Sequence, residues 1–209
     1  MAGIHDSVRK SIQDFDAGDI DFAMMHACNA VDGTSRKLFP EMRKVGLRFT
    51  RTIRENYEIL GPLGMPGINL ELTRWPVPMK DARDVDPLPD IADLIYGIHR
   101  CAHGHGDELP EGFELIREAN NGSNLVTTVI EPGTVKLSDC MIFALLAIAV
   151  TSPANAGLRV PDDNYFLSYR DQRYRINNWW GRREEFISIL QAQQMPSVHM
   201  ELSPFMNLL

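Results

Sequence analysis

The sequence predicts a mainly α protein, with a helical bundle over residues 1–118 and a smaller α+β part over residues 120–209 packed on it. Apolar residues recur at three- and four-residue spacing through the first part, which is the period of amphipathic helices. The apolar run from Cys140 to Val150 has the length of a buried helix. After Asn120-Asn121-Gly122 the pattern changes to short β-branched runs bounded by turn residues, which indicates one or two short hairpins.

The first three predicted helices follow closely along the chain. Residues 4–15 suit a short helix, and Asp19 is a good N-cap for a second helix through about Leu38. Pro40 closes that helix and suits the first turn of a third, which we expect to run to about Leu60. The second helix has an apolar stripe of Ile20, Ala23, Met24, Ala27, Cys28 and Val31.

The segment of residues 61–89 is rich in proline and glycine, so we expect a long irregular connection there. Asp90 then caps a predicted helix over residues 91–103, and Gly104 and Gly106 end it. The apolar stripe of this helix comprises Ile91, Leu94, Ile95, Ile98, Cys101 and Ala102.

The elements of the second part are predicted from turn residues and caps. Leu125–Ile130 suits a strand that ends at Glu131-Pro132-Gly133, and Ser138 caps a helix through about Ser152. Tyr165–Tyr169 and Gln172–Ile176 suit a hairpin around Arg170-Asp171. A last helix is predicted over Trp180–Gln193.

Composition restricts the class of protein. The chain has 209 residues and a formal net charge of −7, which disfavours indiscriminate nucleic-acid binding but allows a local basic face. The three cysteines form no CxxC pair and lie among apolar residues, which favours reduced thiols. The N-terminal residues lack a signal-peptide pattern, and the longest apolar run is too short to span a bilayer. We therefore expect a cytoplasmic protein with no membrane association.

Seven basic residues face a single acid between Arg36 and Arg54. Lys44, Arg48 and Arg51 are spaced to share one face of the third helix, since residues three and four apart are neighbours. This face is a candidate RNA-binding surface. The alternative is an ordinary solvated helix face.

The densest group of chemically active side chains is the segment from Ile98 to Glu108, with three histidines, an arginine, a cysteine and two carboxylates. Histidine is a general acid or base near neutral pH, and a guanidinium group binds a phosphate. The pair Arg100 and His105 therefore suits metal-independent cleavage of RNA, with the 2′-hydroxyl group as internal nucleophile.

The segment Tyr96-Gly-Ile-His-Arg100-Cys101-Ala-His-Gly-His105 resembles the active motif of the HEPN superfamily. That motif is an arginine and a histidine separated by four to six residues at the end of a helix in an all-α bundle. An earlier stretch is also similar: Phe15-Asp-x-Gly-Asp-x-x-x-Ala23 leads into a helix with Asp32, and Arg48-Phe49 follows. The resemblance covers roughly residues 10–118. Cys101 departs from it, because that position is usually polar.

The resemblance implies a homodimer in which the two motifs line one cleft. Active members cut RNA without a metal, often as toxins or in phage defence, so an antitoxin or other partner protein is expected. Other members are inactive binding modules. By this resemblance His105 is the general acid or base, Arg100 orients and neutralises the scissile phosphate, and His103 is a second donor. No cofactor or metal is expected.

Three alternatives stay open for the same segment. His99 and His103 lie one helical turn apart, the spacing of zinc ligands, and His105 could complete such a metal site. His103 and His105 could instead simply end a helix, where cations interact well with its dipole. In a non-catalytic dimerisation or RNA-binding module, Arg100 would pair with an acid such as Asp93 or Glu108.

Overall fold

The computed structural model describes residues 3–78, 88–102, 109–118, 126–169, 172–193, 196–202 and 204. Over these residues the fold is mainly helical and contains two short antiparallel hairpins, which confirms the predicted class. The helices are α1 (Ile4–Ala17), α2 (Ile20–Leu38), α3 (Val45–Arg54), α4 (Tyr57–Gly64), α5 (Ile91–Leu94), α6 (Cys140–Thr151) and α7 (Arg183–Ala192). The strands are β1 (Val129–Glu131), β2 (Thr134–Lys136), β3 (Phe166–Tyr169) and β4 (Gln172–Arg175).

Helices α1 and α2 form an antiparallel pair at the positions that the sequence predicts. Gly18 ends α1 with φ of 91°, a left-handed conformation that glycine adopts without strain. The Ser11 hydroxyl donates to the Ala23 carbonyl across the pair at 2.7 Å. Ile4, at the start of α1, packs against Gly33 near the end of α2, so the two helices run in opposite directions.

The predicted helix from Pro40 to Leu60 is wrong in its first turn and near its middle. Helix α3 begins at Val45, because the carbonyls of Met42 and Arg43 face the Arg48 guanidinium at 3.5 Å each. The helix ends at Arg54, and the Asn56 amide then donates to the Thr52 carbonyl at 2.8 Å. A separate helix, α4, follows this break.

The long irregular connection begins later than predicted, because α4 continues through Pro62 to Gly64. From residue 65 to 78 the backbone is irregular, as expected. Leu70 and Trp75 are buried, whereas Leu72 is exposed, so two apolar side chains hold this part of the connection on the core.

Helix α5 begins where the sequence predicts, with the Asp90 carboxylate accepting from the Asp93 backbone N–H at 3.0 Å. The chain then continues as a π-helical segment, Ile95–Arg100, which the sequence did not predict. A π turn holds one more residue than an α turn, so it shifts the buried stripe. His99 is consequently buried, while Ile98 is only half-buried.

Hairpin β3–β4 confirms its prediction, with Leu167 opposite Tyr174 on the buried side. The other predicted strand is shorter than expected and begins at Val129, because the Thr127 N–H donates to Glu118 instead of joining a strand ladder. It pairs with β2, with Ile130 opposite Val135.

The core joins side chains from both predicted parts of the chain. Helix α6 is buried nearly all round and packs against α1, α2 and α4. Helix α7 packs against α4, and its Arg183 guanidinium donates to the Asn56 side chain at 2.8 Å and to the Glu55 carbonyl at 2.9 Å, in the turn between α3 and α4. The hydrophobic cluster is continuous from Val8 on α1 to Leu190 on α7.

Candidate functional site

Four charged side chains from three helical segments meet at one point. Asp32 and Arg36 lie one turn apart on α2, so they share a face of that helix. Arg48 projects from α3, and Arg100 is the last residue of the π-helical segment. We call these four residues the Asp32 cluster.

The Asp32 carboxylate is the centre of the cluster. Its Oδ1 atom accepts a hydrogen bond from Arg48 Nη2 at 3.1 Å. Its Oδ2 atom lies 3.3 Å from Arg36 Nη2 and 3.6 Å from Arg100 Nη2. One oxygen therefore serves two guanidinium groups, and the contact with Arg100 is the longest of the three.

Exposure increases from the floor of the cluster to its rim. The side chains of Arg48 and Asp32 are 9% and 10% exposed, that of Arg100 is 23% exposed, and that of Arg36 is 48% exposed. The Nε atoms of Arg48 and Arg100 are buried and have no hydrogen-bond partner within the described part of the chain. The cluster thus opens to solvent on the side of Arg36 and Arg100.

The charges of the cluster favour binding of an anion. Three guanidinium groups face one carboxylate, so Asp32 alone does not neutralise them. Partial burial strengthens electrostatic interactions relative to water. Guanidinium groups bind phosphate and carboxylate through paired N–H donors, so an oxyanion is the ligand that this arrangement suits.

Tyr96 lies beside the cluster and fixes the approach of α3. Its ring packs against Gly46, where a Cβ atom would lie 2.8 Å from Cε1, and it contacts Phe49 at a ring-centroid distance of 5.5 Å. Burial raises the pKa of the Tyr96 hydroxyl above its ordinary value, which is already well above neutral pH, so the group stays protonated and can donate a hydrogen bond. Gly46 is therefore the residue that lets the π-helical segment approach α3.

All three cysteines are free, as the sequence predicts. Cys28 is fully buried on α2, and burial raises the pKa of its thiol to about 12, although Arg100 opposes that shift. Cys101, which follows Arg100, is half-buried. The thiol on α2 is therefore an apolar core group near the cluster.

The structure places one of the three predicted catalytic residues in the cluster. Arg100 is a member, at the end of the π-helical segment. His103 and His105 lie outside the described residues, as does Glu108.

The prediction that Lys44, Arg48 and Arg51 share one RNA-binding face of α3 is wrong. Lys44 precedes the helix and is exposed, whereas Arg48 points inward to Asp32. Arg51 is exposed, pairs with Glu55 at 2.7 Å and lies over the Phe39 ring at 4.3 Å. The later start of α3 and the buried Asp32 carboxylate separate the three side chains.

The structure also bears on two alternatives for this segment, the pairing of Arg100 with Asp93 and a metal site that includes His99. Asp93 is not its partner, because Arg54 Nη2 donates to Asp93 at 2.6 Å. His99, the first ligand of the alternative metal site, is buried on the π-helical segment. Over the described residues, no group of three histidine, cysteine or acidic side chains has the geometry of a metal site.

Asp32 and Arg36 are cluster residues that sequence reasoning did not assign to the site. Their four-residue spacing on α2 indicates a local ion pair, and such pairs are common on solvated helix faces. The sequence contains no signal that α3 and the π-helical segment converge on the same carboxylate.

A membrane-spanning helix is not found among the residues that the structure describes, since none of their helices is both long and apolar enough.

Comparison with known proteins places the chain in a family. The family model described as Rv1289 matches residues 3–206. The uncharacterized proteins Rv1289 and MT1327 of Mycobacterium tuberculosis and Mb1320 of Mycobacterium bovis are each 39% identical over 204 residues, which cover 98% of this chain and 95% of each relative. No solved structure matches the chain. Because the family model and these relatives span nearly the whole sequence, the chain belongs to the Rv1289 family.

Proposed function

We propose that this protein is a metal-independent endoribonuclease with a HEPN-like bundle. The observation that carries the proposal is the position of Arg100 in the Asp32 cluster. The arginine that the sequence singles out is partly exposed there, beside two other guanidinium groups and directly before the segment with His103 and His105. An excess of positive charge next to histidines suits a phosphodiester substrate.

In the proposed reaction the 2′-hydroxyl oxygen of RNA attacks the adjacent phosphorus, and the bond from phosphorus to the 5′-oxygen breaks. The products are a 2′,3′-cyclic phosphate and a free 5′-hydroxyl group. His105 accepts the proton of the attacking 2′-hydroxyl group as general base, and His103, as the donor, gives a proton to the leaving 5′-oxygen as general acid. Arg100 holds the phosphate and neutralises the charge that develops on its oxygens.

The other predicted RNA-binding residues take different roles. Lys44 directly before α3 and Arg51 in its last turn are both exposed, so each can attract the RNA backbone. Arg48 instead positions Asp32 from inside. As the HEPN resemblance implies, we propose a homodimer that joins two clusters in one cleft. We further propose a cytoplasmic toxin or phage-defence role and restraint by an antitoxin or other partner protein.

The test is incubation of the purified protein with a mixed RNA pool in the presence of EDTA. We expect cleavage that is lost in His105→Ala and in Arg100→Gln, while both variants keep the unfolding midpoint of the wild type within a few degrees. His199→Ala and Arg159→Gln are matched controls, because both residues are exposed and Arg159 pairs with Asp163. Cleavage that persists in both site variants would show that these residues do not carry the reaction.

The second candidate function is a non-catalytic dimerisation or RNA-binding module. It is favoured by the ion pair of Arg100 with Asp32 inside the same chain, which joins the π-helical segment to α2. In this alternative the cluster holds helices together. RNA binding or dimer formation without cleavage in the EDTA assay would favour it.

A further inference from the structure

We propose that the outer half of the Asp32 cluster is a phosphate-binding site, in which Arg36 and Arg100 bind the phosphate and the Asp32–Arg48 pair forms the floor. The inference rests on the Arg100 guanidinium of the proposed function and adds Arg36 and Asp32 to its site. The inference requires only that phosphate binds, so it can be tested independently of RNA cleavage.

The floor is the fixed half of the cluster. Asp32 and Arg48 are joined by a 3.1 Å hydrogen bond, and each side chain is about nine-tenths buried. Arg48 Nη1 also lies 3.5 Å from two backbone carbonyls, those of Met42 and Arg43. Separating a buried pair leaves an uncompensated charge, so Arg48 stays with Asp32 when a ligand arrives.

The rim is the half that can change partners. Arg100 Nη2 lies 3.6 Å from Asp32 Oδ2, which is longer than a hydrogen bond, and its buried Nε has no partner among the described residues. Arg36 Nη2 lies 3.3 Å from the same oxygen. A guanidinium group carries five N–H donors, and the Asp32 oxygen faces only the Nη2 atom of Arg100, so Arg100 offers further donors to a ligand.

The chemistry of the rim identifies the ligand class. Two guanidinium groups that converge on one point match the several oxygens of a tetrahedral phosphate better than a single carboxylate oxygen. Asp32 remains beside the bound phosphate and repels it, so Asp32 limits the affinity of the site. The phosphate comes either from the backbone of RNA or from the end of a nucleotide chain, since both present the same oxygens.

The experiment measures binding without cleavage. Inorganic phosphate, adenosine monophosphate and two 2′-O-methyl RNA oligonucleotides, one with a 5′-phosphate and one with a 5′-hydroxyl group, are titrated into the full-length protein at low salt. The 2′-O-methyl group removes the nucleophile, so a failure of catalysis does not affect the result. Arg36→Gln and Arg100→Gln are compared with Arg159→Gln, which removes the same charge from an exposed arginine paired with Asp163.

We expect saturable binding of inorganic phosphate that weakens about tenfold in Arg36→Gln and Arg100→Gln, as for loss of a charge-assisted hydrogen bond. Arg159→Gln should bind as the wild type does. Asp32→Asn, if it unfolds cooperatively, should bind phosphate more tightly, because the competing charge is gone. Equal affinity in wild type and Arg100→Gln, or no saturable binding by the wild type, would overturn the site.

The oligonucleotides identify the source of the phosphate. A site for a chain end is supported if the 5′-phosphorylated strand binds more tightly than the 5′-hydroxyl strand, and if adenosine monophosphate binds more tightly than inorganic phosphate. Equal binding of the two strands, again weakened in both rim variants, supports a site for the RNA backbone. Equal binding that the rim variants do not change contradicts the proposal.

Discussion

Asp32 Oδ1 and Arg48 Nη2 lie 3.1 Å apart and join α2 to α3 through an ion pair that is about nine-tenths buried. The same carboxylate reaches Arg100 on the π-helical segment. A single aspartate therefore holds three helical segments in register, and the candidate site depends on it.

Asp32→Ala should lower the free energy of unfolding by about 3 kcal/mol, because it leaves the Arg48 guanidinium buried without its counter-ion. Urea unfolding followed by circular dichroism measures this change. Arg36→Gln is the control, since that side chain is half exposed and should change stability by less than about 0.5 kcal/mol. Equal effects of the two substitutions would show that the buried pair is not the stabilising element.

Asp93→Asn should remove a loss of stability that the wild type undergoes as pH rises. Burial and the neighbouring Asp90 carboxylate raise the pKa of Asp93 above its ordinary 3.8. The folded protein therefore holds this proton more tightly than the unfolded chain does, and Asp93 contributes stability that is lost as pH rises through the raised pKa. The free energy of unfolding of the variant relative to wild type should consequently increase from about pH 4 upward.

Asp90 shows the opposite behaviour within the same group. Burial favours its neutral form, but hydrogen bonds from Arg54 outweigh burial and lower the pKa of Asp90. The ionised Asp90 carboxylate therefore stabilises the folded protein at pH values above its pKa in the unfolded chain. This stabilisation is lost as the pH falls through its lower pKa in the folded protein. Asp90→Asn should therefore be less stable than the wild type near neutral pH, and most of this difference in the free energy of unfolding should disappear in acid. Asp16→Asn, at an exposed position on α1, is the control, and parallel pH profiles for all three variants would contradict both assignments.

Gly46→Ala should destabilise the protein by about 1 to 3 kcal/mol, although alanine favours helices, because the new methyl group overlaps the Tyr96 ring. The Cβ atom would lie 2.8 Å from Cε1 and 3.0 Å from Cζ. Chemical denaturation of the single variants and of Gly46→Ala with Tyr96→Ala measures the coupling. The double variant should lose less than the sum of the two single losses, and strict additivity would show that the two residues do not compete for space.

Cys101 should react with N-ethylmaleimide before Cys28 near neutral pH. The thiolate is the reactive form, and burial raises the pKa of Cys28 to about 12. Cys140 should also react slowly, because burial raises the pKa of its thiol. Mass spectrometry of peptides after timed labelling gives the order. All three should react in denaturant, and early labelling of Cys28 in the native protein would contradict its burial.

Local patterns in the sequence were sufficient for several elements. The apolar period and the Asp19 and Gly18 signals predict α1 and α2 within a few residues, and the continuous apolar run predicts α6. The two runs around residues 170–171 predict β3 and β4. Each of these signals involves residues that are near one another in the chain. The local sequence is therefore sufficient to predict these helices and strands.

Tertiary contacts decided the rest. The break before α3 depends on Arg48, whose guanidinium faces carbonyls that a continuous helix would use itself. The buried position of His99 depends on the π turn, which shifts the stripe by one residue.

The sequence by itself determined a mainly helical chain and singled out Arg100, because periodicity and residue chemistry are local properties. Only the tertiary structure decided that Arg100 shares Asp32 with Arg36 and Arg48. The physical reason is that an ion pair between distant segments forms only when helix packing brings their charges together, and burial then makes that partner hard to exchange.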